Sequence, residues 1–513
     1  MKRFDPKGFL PLPDRISVMP AHGGGWSGKL DNWWAGATIA APAIEVVKAA
    51  DASVETVRRL LRQGPKKLNQ YYVEQTQQAR RMVRLTLDLP ESAPVLLDAS
   101  GTAALLLATR ILGHIADGAG SQTFFTITTD EGGSLVPATL RGLDPSEMEK
   151  TMFQPNTGLF YEPQPVLPYP PRTEILSQLV GLSKFDNDAL VVELRRIAME
   201  HLEAGHRFGC LVLPHVVKSG RILPLHAVSA MVQELRALGL NLYLVVDDVQ
   251  GFGRVEGELC ANPLQFCDAY VLGSAKALGG LLTASAVVIQ AEAMQRFLHL
   301  AEQWRGLPFP CISHYQFPPE MEERLPEAML KRGAVSLPEI VAMSAAIHHH
   351  YRRGVGDTYL ARRHNQLELV ASQRAQVVEA LTAIPGIKVL ESTPQRPLVP
   401  SIVSFETPKG VSPGALKDAL QAGTPIVTPC APIGRLLRLE IPEYRDMPSV
   451  EVLKERLLAC LRELQTETAP VTTPEPVQPI QGPDLPEALP EPVEAGTSEP
   501  EVPVVQPQRP LLD

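Results

Sequence analysis

Residues 242–280 read LYLVVDDVQGFGRVEGELCANPLQFCDAYVLGSAKALGG. The apolar run Leu242–Val246 stops at Asp247-Asp248, and a second run, Tyr270–Leu272, stops at Gly-Ser-Ala-Lys, with Lys276 among small residues. Short apolar runs bounded by polar or turn residues are the pattern of buried strands. The stretch therefore predicts a carboxylate and an amine at the ends of two neighbouring strands. A lone lysine is ordinarily a solvated surface charge, and an Asp pair often only caps a strand. The run of Gly, Ser, Ala and Leu around Lys276 favours a working role.

Upstream, the same strand-then-helix rhythm repeats. From Ala43 to Leu87 the apolar residues recur at helical spacing, as in VVKAADASVETVRRLL and QARRMVRLTL. Val95–Leu97 is a short apolar strand that leads through Asp98-Ala-Ser-Gly-Thr-Ala-Ala into a helix over Leu105–Leu112. A strand, a small-residue turn and a helix start present free backbone N–H groups and the positive end of the helix dipole, which suits a phosphate. Small residues also begin ordinary helices, so this turn is weak evidence alone. Thr123–Thr129 is strand-like and is followed by Asp-Glu-Gly-Gly-Ser; Asp186–Ala204 is an amphipathic helix; Gly209–Pro214 is a buried strand; Ala227–Leu238 is a helix. This alternation predicts an α/β domain with a mostly parallel sheet. In such sheets ligands sit beyond the carboxyl ends of the strands. Ser100–Thr102, His215, Asp247 and Lys276 all fall just past a predicted strand end.

The flanks differ in character. Residues 1–40 are rich in Gly, Pro and Trp, with Trp26, Trp33 and Trp34 in one short segment. Such aromatics must pack on something, as a strap over the body or as an active-site lid or dimer arm. Residues 41–315 are expected to form the large domain. Residues 316–465 are expected to form a smaller α+β domain, with a long helical stretch from Ser336 to Leu381, strands at Ile387–Leu390, Ser401–Phe405 and Leu436–Ile441, and a closing helix at Val450–Leu464. Residues 466–513 form a Pro/Glu-rich tail, expected to be disordered.

That tail holds much of the formal net charge of −9: from Pro470 onward it has eight acidic residues and one basic. The balance argues against nucleic acid as the main partner. The 513 residues include six scattered cysteines, with no C-x-x-C pair and no zinc-like Cys/His spacing. These features predict reduced thiols, no metal site and a cytoplasmic protein. No apolar run is long enough for a membrane span, and the N-terminus lacks a signal-peptide core.

Six stretches resemble the fold-type I pyridoxal-phosphate (PLP) enzymes, specifically the class V aminotransferase and cysteine desulfurase group, with a secondary likeness to the α-oxoamine synthases. DASGTAALLLA looks like the family's phosphate turn. LPHVVKSGRILPL resembles the pattern V-S-H-V-x-N-x-x-G-x-I-x-P-[IL]. VVDDVQGFGR resembles D-x-x-[HQ], and GSAKALGG the Schiff-base lysine motif. KRGAVSLPEI looks like the segment that often reaches the phosphate across a dimer interface, and RLLRLEIPEY like the strand whose arginine holds a substrate carboxylate. The likeness spans roughly residues 40–465.

The resemblance implies a seven-stranded, mostly parallel large-domain sheet, a smaller C-terminal domain and a homodimer. It also implies roles. Lys276 would carry PLP and move the substrate Cα proton. Asp247 would pair with the ring nitrogen; it is preferred to Asp248 because Gln250 then lies three residues on, where it would bond the ring's 3′ oxygen or the imine region. Gly101, Thr102 and Ala103 would hold the phosphate, with Ser274 as a second candidate. Arg438 would clamp a substrate carboxylate, with Arg435 as its competitor. The chain also departs from the pattern. The histidine or aromatic that stacks on the ring in relatives is replaced at Glu131-Gly132-Gly133-Ser134, leaving His215 or the tryptophan-rich segment as substitutes. The residue before the lysine is Ala275 rather than histidine, and Cys430 lies too close to Arg438 for a desulfurase loop. The expected function is PLP-dependent transfer of an amino group from an amino acid or other small amine. A PLP lyase, decarboxylase or desulfurase, or a non-catalytic PLP-fold binding protein, is the alternative.

Overall fold

A computed structural model describes residues 34–35, 43–98, 101–131, 173–255, 262–280, 284–303, 312–313, 318–325, 330–331, 337–352, 356, 359–422, 427–428, 434–442 and 447–467. In chain order the elements are β1 (Trp34–Ala35), α1 (Ile44–Gln63), α2 (Pro65–Thr86), β2 (Val95–Asp98), α3 (Gly101–Gly118), β3 (Thr123–Thr129), β4 (Glu174–Val180), α4 (Asn187–Glu203), β5 (Phe208–Pro214), α5 (Leu225–Ala237), β6 (Asn241–Asp247), β7 (Ala269–Gly273), β8 (Ser285–Ile289) and α6 (Ala291–Gln303). There follow β9 (Ile312–Ser313), α7 (Pro319–Glu322), β10 (Leu330–Lys331), α8 (Leu337–Arg352), α9 (Tyr359–Thr382), β11 (Lys388–Val389), β12 (Ile402–Glu406), α10 (Pro413–Gln421), β13 (Val427–Thr428), β14 (Leu436–Glu440) and α11 (Val450–Glu467).

The main sheet has seven strands in the order β2-β8-β7-β6-β5-β3-β4. All pairings are parallel except those of β8, which runs antiparallel to both β2 and β7. The fold is thus the mixed α/β, mostly parallel seven-stranded arrangement expected. Its strands β5 to β8 read as near-continuous apolar runs because both faces are covered. Along β6 and β7 the side chains alternate between two cores: Leu244, Val246, Tyr270 and Leu272 join one, and Val245 and Val271 the other. Helix α8 contributes Ile340, Met343, Ala346 and Ile347 to the first core, and α3 contributes Leu105, Ala108, Ile111 and Leu112 to the second. Asp186 caps α4, its carboxylate accepting from Ala189 N–H at 2.8 Å.

A second sheet, β11-β12-β14, is antiparallel and has its own core, including Phe405, Leu437, Leu439, Leu453 and Leu457. The strands expected over 387–441 are present. The single helical stretch expected over Ser336–Leu381 is instead two helices, α8 and α9. Gly356 stands between them at φ +149°, a conformation that side chains rarely adopt, and a Cβ there would lie 2.9 Å from Ala361. Two strands of the main sheet escaped the sequence reading. The edge strand β4 is mostly half-exposed, and β8 is buried throughout. Of residues 1–40, only β1 is described; Trp34 and Ala35 pair in parallel with Val427 and Thr428. The rest of that segment, and the tail from 468 onward, lie outside the described residues. Among the described residues no helix is long and apolar enough to cross a membrane.

Candidate active site

The candidate site lies at the carboxyl ends of β5, β6 and β7. Residues Pro214 and Asp247 are register partners there, and His215 N–H donates to Asp247 O at 2.9 Å. Asp247 is buried. One of its carboxylate oxygens accepts from Val249 N–H at 3.1 Å. Burial pushes its pKa up, as does the neighbouring Asp248 charge, while Lys276, the Val249 N–H and Lys218 pull it down. The Lys276 ammonium is thus close enough to be felt by Asp247, and the structure brings together the two residues of the opening stretch. Lys276 itself is half-buried, in the turn after β7.

Val249 also ties in the helix. A Cβ on Gly101 would lie 2.6 Å from Val249 Cγ2, and one on Gly273 would lie 3.0 Å from Val249 Cγ1. The N-terminus of α3 can therefore approach the Asp247 turn and the end of β7 only because both positions are glycine. This presses the first N–H groups of α3, at Gly101, Thr102 and Ala103, toward the same region. Gly101 and Thr102 are half-buried.

Asp248 has a different environment. Its carboxylate contacts His215 Nδ1 at 3.0 Å and accepts from the Tyr270 hydroxyl. All three side chains are buried, so Asp248 anchors β5 and β7 from inside the core. His215 is held by this contact at the strand end. Gln250 is buried in the turn that follows Asp247. Ser274 is fully buried, with its hydroxyl donating to Ala284 O at 3.3 Å; a Cβ on Gly280 would meet Ser274 Oγ at 2.5 Å.

Arg438 and Arg435 diverge. They are three residues apart on or beside β14, and odd spacing on a strand places side chains on opposite faces. Arg438 is buried, and its Nη1 donates to Lys218 O at 2.9 Å. Arg435 is exposed and donates to Thr407 O at 3.2 Å. Of the two candidates, only Arg438 reaches the loop after β5. Gly132, Cys430 and residues 332–336 of KRGAVSLPEI lie outside the described residues.

Two features were missed in the sequence. Lys218, half-buried, stands where the quoted family pattern has asparagine; a lone lysine in a turn carries no local signal of a role. Arg254, in the turn after Asp247, forms a buried ion pair with Glu440 of β14. The signal available for that pair was Glu440 itself, an acid two residues from Arg438 in an otherwise apolar strand.

The raised pKa of Asp247 gives a testable stability effect. A carboxylate whose folded pKa lies above its unfolded value, about 3.9, stabilises the fold only while protonated. That contribution is complete below about pH 3.9 and is lost as pH rises through the folded pKa. Asp247→Asn should therefore raise the Tm of the cofactor-free chain at pH 7, with the gain shrinking as pH falls toward 4. Thermal unfolding across pH 4–8 measures this. An Asn variant less stable than wild type at pH 7 would show that Asp247 is instead well paired in the cofactor-free chain.

No protein-family model matches the chain, and no curated protein sequence matches it. Solved structures do match. A lysine-to-alanine mutant of C-DES with glycine covalently linked to its PLP cofactor aligns with TM-score 0.60 at 14% identity, covering 83% of this chain and 96% of that one. Ureidoglycine-glyoxylate aminotransferase from Bacillus subtilis aligns with TM-score 0.55 at 13% identity, covering 86% and 95%. Alanine-glyoxylate aminotransferase from Nostoc sp. aligns with TM-score 0.55 at 15% identity, covering 90% and 100%. The chain therefore has the fold of these proteins, fold type I of the PLP-dependent enzymes.

Proposed function

We propose that the chain is a PLP-dependent aminotransferase acting on a small amine or amino acid. The observation that carries this reading is the buried Asp247 carboxylate in the field of Lys276, with the N-terminus of α3 pinned beside it by Val249. These residues fit the cofactor. A buried carboxylate with a raised pKa gains from a cationic ring N–H, and the N–H groups of Gly101, Thr102 and Ala103 suit a phosphate. Bound PLP supplies an electron sink for charge developing at the substrate Cα. Asp247 would keep the proton on the ring nitrogen. Lys276 would hold the cofactor and carry the proton to and from the substrate Cα. Gln250 and His215 would face the ring, Ser274 would support the lysine turn, and Arg438 would orient a substrate carboxylate. The buried, free Cys210, Cys267 and Cys460 support a reducing, cytoplasmic setting; the family resemblance supports a homodimer.

The likeness to C-DES, which another solved structure describes as a cystine C-S lyase, supports a lyase as the second reading. One experiment separates the two. The PLP-loaded chain is incubated with single amino acids and its cofactor is recovered by chromatography. Pyridoxamine phosphate accumulating without the oxo-acid partner supports transfer. Unchanged PLP with released product supports the lyase. A chain that binds no PLP would overturn both. Arg438→Ala should raise KM for the substrate about 10- to 100-fold, the range for losing a charge-assisted contact. Arg435→Ala should leave KM within about twofold, since surface changes have small effects.

A further inference from the structure

The loop after β5 brings a second cation beside Arg438. Arg438 Nη1 donates to the backbone oxygen of Lys218, so the guanidinium lies against the residue that carries the ammonium. The loop is fixed there by further contacts: Ser404 Oγ donates to Ser219 O at 2.7 Å, and Val399 N–H to Gly220 O at 2.8 Å. Gly220, at φ +90°, leaves a Cβ only 3.0 Å from Ile402, so the loop is seated closely on β12.

Lys218 is electrostatically exposed to Arg438, Glu131, Asp247 and Asp130. Each of the three acids accepts a hydrogen bond from a neutral donor and partly offsets the Arg438 charge at Lys218. Glu131 accepts from Ser219 Oγ at 2.7 Å, Asp130 from Leu182 N–H at 2.9 Å, and Asp247 from Val249 N–H. Burial and the Arg438 charge together push the Lys218 pKa down. An ammonium short of water and crowded by a guanidinium gains strongly from a bound anion.

We propose that Lys218 and Arg438 form a two-cation clamp, so that the substrate of this site is an amine carrying two acidic groups, as a dicarboxylic amino acid does. This rests on the reading of the site as one for amino substrates. Arg438 takes the carboxylate next to the reacting carbon, and Lys218 takes the second acidic group. A monocarboxylic substrate would leave Lys218 without its anion and would bind more weakly.

The test uses isothermal titration of glutarate and butyrate into the full chain, both PLP-loaded and cofactor-free. Wild type should bind glutarate about 10- to 100-fold more tightly than butyrate, the range for one additional charge-assisted contact. Lys218→Met keeps the aliphatic stem and removes the charge. It should lose that preference while butyrate affinity stays within about twofold. Lys218→Arg should retain most of the preference. Absence of a glutarate preference in wild type, or an equal loss for both probes in Lys218→Met, would overturn the clamp. Retention of the preference in a chain that takes up no PLP would support the clamp while removing the cofactor assignment.

Discussion

Lys276→Ala is expected to leave a protein that still takes up PLP but can no longer be covalently fixed to it. Asp247 and the N-terminus of α3 are untouched by the change, so binding of the ring and phosphate should weaken rather than vanish. Borohydride reduction followed by peptide mass mapping should find the pyridoxyl group on the Lys276 peptide in wild type and on no peptide in the variant. Turnover should fall by at least about 10²- to 10⁴-fold, the range for removing a positioned proton-transfer group. The same mapping has a sharp negative outcome. Lys218 is the other half-buried lysine that Asp247 feels. A label there would assign the cofactor linkage to the wrong strand end.

The largest expected effect on stability is at Glu440. Its side chain is 2% exposed and that of Arg254 is 0% exposed. Removing one partner of a buried ion pair leaves an uncompensated charge, at a cost of about 3–5 kcal/mol. Glu440→Ala should therefore lower stability by about that amount in urea unfolding. The double change Arg254→Met with Glu440→Leu should recover most of it, because apolar side chains of similar volume often replace such a pair without loss. A double variant as unstable as Glu440→Ala alone would mean that the damage comes from lost packing on β14 and not from the charge. The pair joins the turn after Asp247 to the strand of Arg438, so the double variant also reports on substrate alignment. Restored stability with a raised KM would assign Arg254 and Glu440 a positioning role.

The sequence was informative where chemistry and periodicity coincided. Asp247 and Lys276 each end a run of apolar residues, and a charge at such a place is visible without any structure. Gly101 belonged to a recognisable turn, although its reason, contact with Val249, was not readable. Strand direction was not legible either. The run of β8 is buried on both faces like its neighbours, and parallel and antiparallel strands buried in this way have the same apolar content. The half-exposed β4 lacks an apolar run altogether. The choice between Arg435 and Arg438 needed the pairing of β14 with β12, because period 2 separates the two arginines without saying which face meets the site. Lys218 and Arg254 depend on contacts across long stretches of chain, which local patterns do not carry.

The fastening of the loop after β5 has a consequence for the order of events on the ribosome. The partners of Ser219 and Lys218, Ser404 and Arg438, lie 185 and 220 positions further along the chain. At roughly 5–20 residues per second, they emerge about 10–40 s after the loop does. The strand ends bearing Asp247 and Lys276 can thus be made while the loop still has an open edge. The final seating of this loop waits for the last strand of the second sheet.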